Sequence, residues 1–281
     1  MSSEIPRYEF ILIRHAQSCA NIWKGKSKLR QVTYRDPEIT EAGVQTSLRL
    51  SGILQKKINM LWKNEPYSVC SSQMIRSQET AYYMTKQPIN VVPHVAEDGI
   101  TLDNFALTKE KQRTIIGRRN PKILENLDKG IDSREKQTLT KKSSWSAFLK
   151  WADNNPGSFS IGSDGVYRAV IFTHSHFLVV SLGLKTKVKN NNGYFVTVGG
   201  GAITNSNRLD IGETIGNGPD KCRISPYKET LKVVRPRRKS SRSTRKACKK
   251  FMDDDDLLTD YNQGTYKAHL LNLISYSQKS T

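Results

Sequence analysis

Two short stretches of this sequence carry side chains suited to chemistry. "FILIRHAQS" (Phe10 to Ser18) runs an apolar segment straight into Arg14 and His15, and "RAVIFTHSH" (Arg168 to His176) ends a similar segment at His174. A guanidinium offers planar donors that stay charged and can hold two oxygens of an anion at once. Its charge disfavours protonation of a neighbouring imidazole, and a neutral ring nitrogen is a nucleophile. A cation and a neutral imidazole side by side therefore suit chemistry on an anionic substrate.

Such groups need rigid carriers. Continuous aliphatic and β-branched runs fit strands buried on both faces, as in parallel sheets covered by helices. Between the two histidine strands, Thr40 to Ile58 places Ala42, Leu48, Leu50, Ile53, Leu54 and Ile58 at roughly helical spacing, with Thr40 and Glu41 as the start signal. Tyr67 to Thr85 reads as a short strand, a serine-rich turn and a helix beginning near Arg76. Trp145, Phe148, Leu149 and Ala152 share one helical face before Asn-Asn-Pro-Gly ends the pattern. Strands alternating with helices predict a parallel α/β sheet, in which ligands bind outside the carboxyl ends of the strands. His15 and His174 both fall at such ends. Gly193 to Asn207 reads as a hairpin, and beyond about Asp210 the periodicity fades.

At 281 residues the chain has room for one substantial α/β domain with appendages. A catalytic domain over 1–215, with an insert at 98–142, and a basic extension over 216–281 are expected. The net charge of +19 is unevenly placed: Lys228 to Lys250 holds eleven Lys or Arg against one Glu, and "DDDD" follows at Asp253 to Asp256. Thr108 to Lys142 holds another eleven basic residues against five acidic ones. No apolar run approaches the roughly 20 residues that span a bilayer, and the N-terminus lacks the plan of a signal peptide. A cytoplasmic protein without a transmembrane segment is expected. Four scattered cysteines suggest no disulfide framework.

Taken together, "LIRHAQSCAN", "ITEAG", "SSQMIRSQETA", "INVVPHVAEDG" and "VIFTHSH" resemble, in order and spacing, the motifs of the histidine phosphatase superfamily, the phosphoglycerate mutase-like group. The resemblance covers roughly residues 7 to 210. It implies a three-layer α/β/α sandwich with a mostly parallel central sheet. It also implies that His15 is a nucleophile that becomes phosphorylated, that Arg14, Arg76 and His174 hold the phosphoryl oxygens, and that Glu97 is the general acid, with Asp98 as runner-up. Asn21 would add an amide donor. Ser175 stands where the family usually has glycine, and could narrow the pocket or offer a hydroxyl. These types fit the task, because a transferring phosphoryl group spreads charge over three oxygens and needs cations and donors placed in advance. Neither a metal nor a cofactor is required. His94, His176 and His269 form no cluster with metal-ligand spacing. For His176 packing at a helix start is the first reading and a pocket role the second. Cys19, near His15, reads as a packing residue or an oxidisable thiol.

The reading is a metal-independent phosphatase that hydrolyses a phosphomonoester on a small molecule or a phosphoprotein. Two alternatives stand beside it, a mutase-type phosphotransferase and a non-catalytic phosphate-binding module. The family's mutase segment is not found after Glu97, and the retained Arg14, His15, Arg76, Glu97 and His174 argue against a non-catalytic module. The insert is expected to overhang the pocket and present its charge, through Arg118, Arg119 and Lys122, to a polyanionic substrate; a solvated basic loop is the alternative. The segment 235–250 has no acidic residue and could bind polyanions non-specifically, serve as a nuclear import address, or only solvate the chain.

Overall fold

The computed structural model describes residues 7–23, 35–97, 102–135 and 143–211. The expected basic extension, including 235–250, and Asp98 lie outside the described residues, as does the position of His269.

The first strand, β1 (Tyr8–Arg14), is buried along most of its length. It is followed by a short helix α1 (Cys19–Trp23), the long α2 (Glu41–Trp62), β2 (Ser68–Ser71), α3 (Ile75–Thr85) and β3 (Ile89–Val91). Next come α4 (Lys109–Arg119), α5 (Pro121–Asp128), α6 (Trp145–Asn154), β4 (Ser160–Ile161), β5 (Tyr167–Thr173), α7 (Ser175–Ser181), β6 (Gly193–Gly199) and β7 (Ala202–Leu209). Among the described residues the sheet has seven strands, ordered β3-β2-β5-β1-β6-β7, with β4 on β5. The pairs β3/β2, β2/β5 and β5/β1 are parallel, and β6 and β7 are antiparallel additions. This is the expected mostly parallel sheet, and the hairpin falls where Gly200 and Gly201 take positive φ.

Alternation along the strands builds two cores. Ile11, Ile13, Val170 and Phe172 face one side and meet Leu50, Leu54 and Ile58 of α2, Ala81 and Met84 of α3, and Ile115, Ile116 and Ile123 of α4 and α5. Phe10, Leu12, Ala169 and Ile171 face the other and meet Phe148 and Leu149 of α6 with Phe177 and Leu178 of α7. Helices on both faces make the three-layer sandwich.

The helix expected from Thr40 starts at Glu41, with the Thr40 hydroxyl accepting from Gly43 N, and runs to Trp62. Gly43 sits against the chain after His15, and a Cβ there would run into the carbonyl of Gln17. Thr40 N donates to Gln17 O and Cys19 N to Glu38 O, 2.9 and 3.0 Å. "ITEAG" thus docks the start of α2 onto the loop that carries the first histidine.

The insert departs from expectation. The helices α4 and α5 bury Ile115, Ile116 and Ile123 in the core on the α2/α3 side of the sheet. Arg119 donates to Glu79 Oε1 at 2.5 Å and to Ile39 O at 3.0 Å, and Arg113, Lys109 and Arg134 pair with Asp128 or Asp132. Apolar burial, not charge, sets the place of these helices, so much of their basic charge is matched within the insert or on α3.

Candidate active site

β1 and β5 run parallel in a register that pairs Arg14 with Thr173. The next residues, His15 and His174, therefore emerge together at neighbouring strand ends, and His15 N donates to Thr173 O at 2.9 Å. Their ring centroids are 5.0 Å apart. Both side chains are buried.

The His15 ring is held by its own loop. Its Nδ1 lies 2.6 Å from Ala16 O; a carbonyl only accepts, so Nδ1 carries the proton and Nε2 keeps its lone pair. Ala16 N in turn donates to Thr80 Oγ1, whose hydroxyl donates to Arg76 O. Burial, then the charges of Arg76 and Arg14, push the His15 imidazole well below its usual pKa. His15 is thus neutral and nucleophilic in character.

His174 meets the hydroxyls of Ser72 (2.7 Å) and Ser77 (3.2 Å) at Nε2. Its Nδ1 makes no hydrogen bond and lies 3.8 Å from Glu97 Oε2. Burial and Arg76 hold this ring neutral as well. Arg76, at the start of α3, is 2% exposed and donates to Asp103 O at 2.6 Å. Arg14 donates through Nη1 to Val188 O at 2.7 Å, while its Nε is buried with no partner.

Glu97 accepts from His176 N at 3.1 Å. Burial raises its pKa above the ordinary carboxylate value, opposed by Arg76, that hydrogen bond and Arg14. The carboxyl group thereby holds its proton to higher pH than a solvated one.

These groups open into a cavity of about 270 Å³ lined by Arg14, His15, Asn21, Arg76, Glu97 and Ser175, with Asp103, Asn104, His176, Val179 and Lys187 among the others. Arg14, His15, Asn21, Arg76, Glu97 and Ser175 thus line the cavity, while His174, at 0% exposure, lies beside His15 and does not line it. Of the described part of 98–142, the cavity is lined by Glu97's near neighbours Asp103 and Asn104 and not by Arg118, Arg119 or Lys122. The expected basic overhang is corrected accordingly. His176 is exposed and lines the mouth, which favours the second of its two readings. Ser175 Oγ is buried without a partner. Cys19 is buried and disulfide-bonded, that is, present in an oxidised form.

Three supports went unrecognised in the sequence. Ser72 and Ser77 lie inside "SSQMIRSQETA" and carried the signal without being singled out. Asn190 donates to His15 O at 2.8 Å and to Asn21 Oδ1 at 3.3 Å. Asn21 Oδ1 also accepts from Ser18 N, so Nδ2 is the end of that amide left to donate. The run of three asparagines, Asn190 to Asn192, was the available sign of a loop tied to β1, where Arg14 N donates to Asn192 O and Asn191 N to Arg14 O.

His15, Glu97 and His174 bring their ligand atoms within 4.8 Å of one another, a donor set that could hold a cation. Arg14 and Arg76 set two positive charges against the same space. That field favours an anion.

Neither a protein-family model nor a curated protein matches this chain. Solved structures do. Phosphoserine phosphatase from Entamoeba histolytica is 18% identical, with 73% of this chain and 98% of that chain covered and a TM-score of 0.40. A putative alpha-ribazole-5′-P phosphatase from Escherichia coli is 14% identical, with coverage of 70% and 94% and a TM-score of 0.40. Phosphoglycerate mutase from Bacillus anthracis is 15% identical, with coverage of 73% and 93% and a TM-score of 0.40. All three are members of the histidine phosphatase superfamily. At this similarity the chemistry has to be argued from the site itself.

Proposed function

We propose that this chain is a phosphatase of the histidine phosphatase type, hydrolysing a phosphomonoester through a phosphohistidine on His15. One observation carries the reading: a neutral His15, its lone pair on Nε2, lines a cavity beside buried polar atoms that have no hydrogen-bond partner among the described residues, namely Arg14 Nε, His174 Nδ1 and Ser175 Oγ. Buried donors are rarely left unmatched, and a phosphoryl group would supply their acceptor oxygens.

His15 Nε2 attacks phosphorus in line, forming the P–N bond as the P–O ester bond breaks. Glu97, its pKa raised by burial, gives its proton to the departing oxygen. Arg14, Arg76 and His174 stabilise the charge on the equatorial oxygens. Water then attacks phosphorus, Glu97 takes a proton from it, and the P–N electrons return to Nε2, releasing inorganic phosphate. The closeness of Glu97 to both imidazoles gives it reach to either side of the reacting group. Glu97 is assigned this role on its position within 4.8 Å of the His15 and His174 nitrogens and its contact with His176 N.

A test is rapid quenching during turnover of a labelled phosphomonoester. An acid-labile, base-stable label on His15 is expected. Turnover with no such adduct, at rates undiminished in His15→Ala, would reject the proposal.

A further inference from the structure

The cavity is lined by a third basic side chain, Lys187, besides the Arg14 and Arg76 of the phosphoryl site. Its lining residues come from two sides of the chain. Glu97, Asp103 and Asn104 belong to the segment between β3 and α4, and both carboxylates of the lining lie there. α1, α7 and the loop after α7 contribute Asn21, His176, Val179 and Lys187, with no carboxylate. Lys187 is exposed and makes no hydrogen bond or ion pair among the described residues.

Its place is nonetheless built. Val188, the next residue, is 6% exposed in the core on the α6/α7 side. Val188 O is gripped by Arg14 Nη1, and Asn190 and Asn192 tie the same loop to His15 O and Arg14 N. The backbone on one side of Lys187 is therefore fastened to two residues of the reacting centre. A cation on such an anchor holds its position relative to the phosphoryl site while its head group reaches solvent.

We propose that Lys187 forms a second-anion site at the cavity mouth and selects phosphomonoesters whose leaving group carries a further anion, a carboxylate or a second phosphate. This deepens the phosphatase reading and rests on it for the phosphoryl site. It also moves polyanion selection from α4, where Arg119 is engaged with Glu79, to the loop after α7. His176 lines the same cavity.

Binding rather than turnover is the decisive measurement. Calorimetric titration of the full chain would compare ethylphosphonate with 3-phosphonopropanoate and 4-phosphonobutanoate, which add a carboxylate at two reaches. The wild type is expected to favour a carboxylated ligand about fivefold, as suits an exposed ion pair. Lys187→Glu should abolish the preference and Lys187→Arg should keep it. A wild type without preference, or a preference that persists in Lys187→Glu, overturns the second-anion site even when phosphomonoesters are hydrolysed. A Lys187-dependent preference in a protein that hydrolyses no phosphomonoester upholds the site and overturns the phosphatase reading. Sources of the anion separate by replacing the carboxylate with a second phosphonate: tighter binding through Lys187 assigns a leaving group that carries the second phosphate.

Discussion

The imidazoles of His15 and His174 stand 5.0 Å apart at 57° to one another, each at the end of its own strand in a parallel pair. Burial and the charges of Arg76 and Arg14 hold both well below the usual histidine pKa. Two imidazolium ions at that spacing would repel each other and the arginines. Both rings are therefore neutral, one anchored through Nδ1 on Ala16 O and the other through Nε2 on Ser72 and Ser77.

His15→Ala should lower turnover at least about a thousandfold, because it removes the imidazole that forms the covalent intermediate. Circular dichroism should show the fold retained. The labelled adduct should disappear from the same preparation.

The pH profile follows from two directions of shift. His15 is active as the neutral base, and its lowered pKa places the acid limb of kcat/KM below the ordinary histidine range. Glu97 is active first as the acid, and its raised pKa moves the basic limb above the ordinary carboxylate range. Steady-state rates from pH 4 to 9, in order-of-magnitude steps of buffer strength, should show both limbs, and Glu97→Gln should remove the basic one. The same variant should slow alkyl phosphates about a hundredfold and p-nitrophenyl phosphate far less, since a good leaving group needs little protonation. Equal slowing of both would assign the proton to another residue.

Asn190→Ala removes the amide that holds His15 O and Asn21 Oδ1. Stability should fall by about 1 kcal/mol, the size of one partly buried hydrogen bond. The sharper readout is kinetic: kcat should drop more than KM rises, because the nucleophile is misplaced while Arg14 and Arg76 still bind. A rise in KM alone would count against a positioning role.

The Glu79 and Arg119 pair is structural rather than substrate-facing. Burial pushes the Glu79 carboxyl up to about 7, against the charge of Arg119. The folded state then binds more protons than the unfolded chain between about pH 4.5 and 7, so stability from this group falls as pH rises through that window. Urea unfolding at pH 5 and pH 8 should show a smaller loss on going to pH 8 in Glu79→Gln than in the wild type. Arg119→Ala should cost about 3 kcal/mol at pH 8 by leaving a buried carboxylate unpaired, with KM unchanged. A raised KM would return this arginine to the substrate rim.

Much of the architecture was legible along the chain. Continuous apolar runs marked β1 and β5 because both faces of a central strand are covered. Helical spacing and Thr40 marked α2, the Trp145 face marked α6, and glycines marked the β6/β7 turn, since each depends on neighbours within a few residues. The ordered motifs also named the side chains that meet in the cavity. The insert was misjudged because its charges are dense while the three isoleucines that bury it are few, and charge says little about which helix face finds the core.

By itself, the sequence determined which residues end the two histidine strands, that arginine and imidazole stand together at Arg14 and His15, and that the chain alternates strands with helices. These are local facts, written in periodicity and adjacency. Only the tertiary structure decided that β1 pairs with β5 in the register Arg14 to Thr173, which sets His15 beside His174. It also decided that Ala16 O fixes the His15 tautomer, that Asn190 braces it, and that among the described residues Lys187, and not Arg118, Arg119 or Lys122, lines the cavity. Strand partners and loop contacts join residues far apart in the chain, and their choice follows from how two apolar faces are covered at once, which no single stretch of sequence contains.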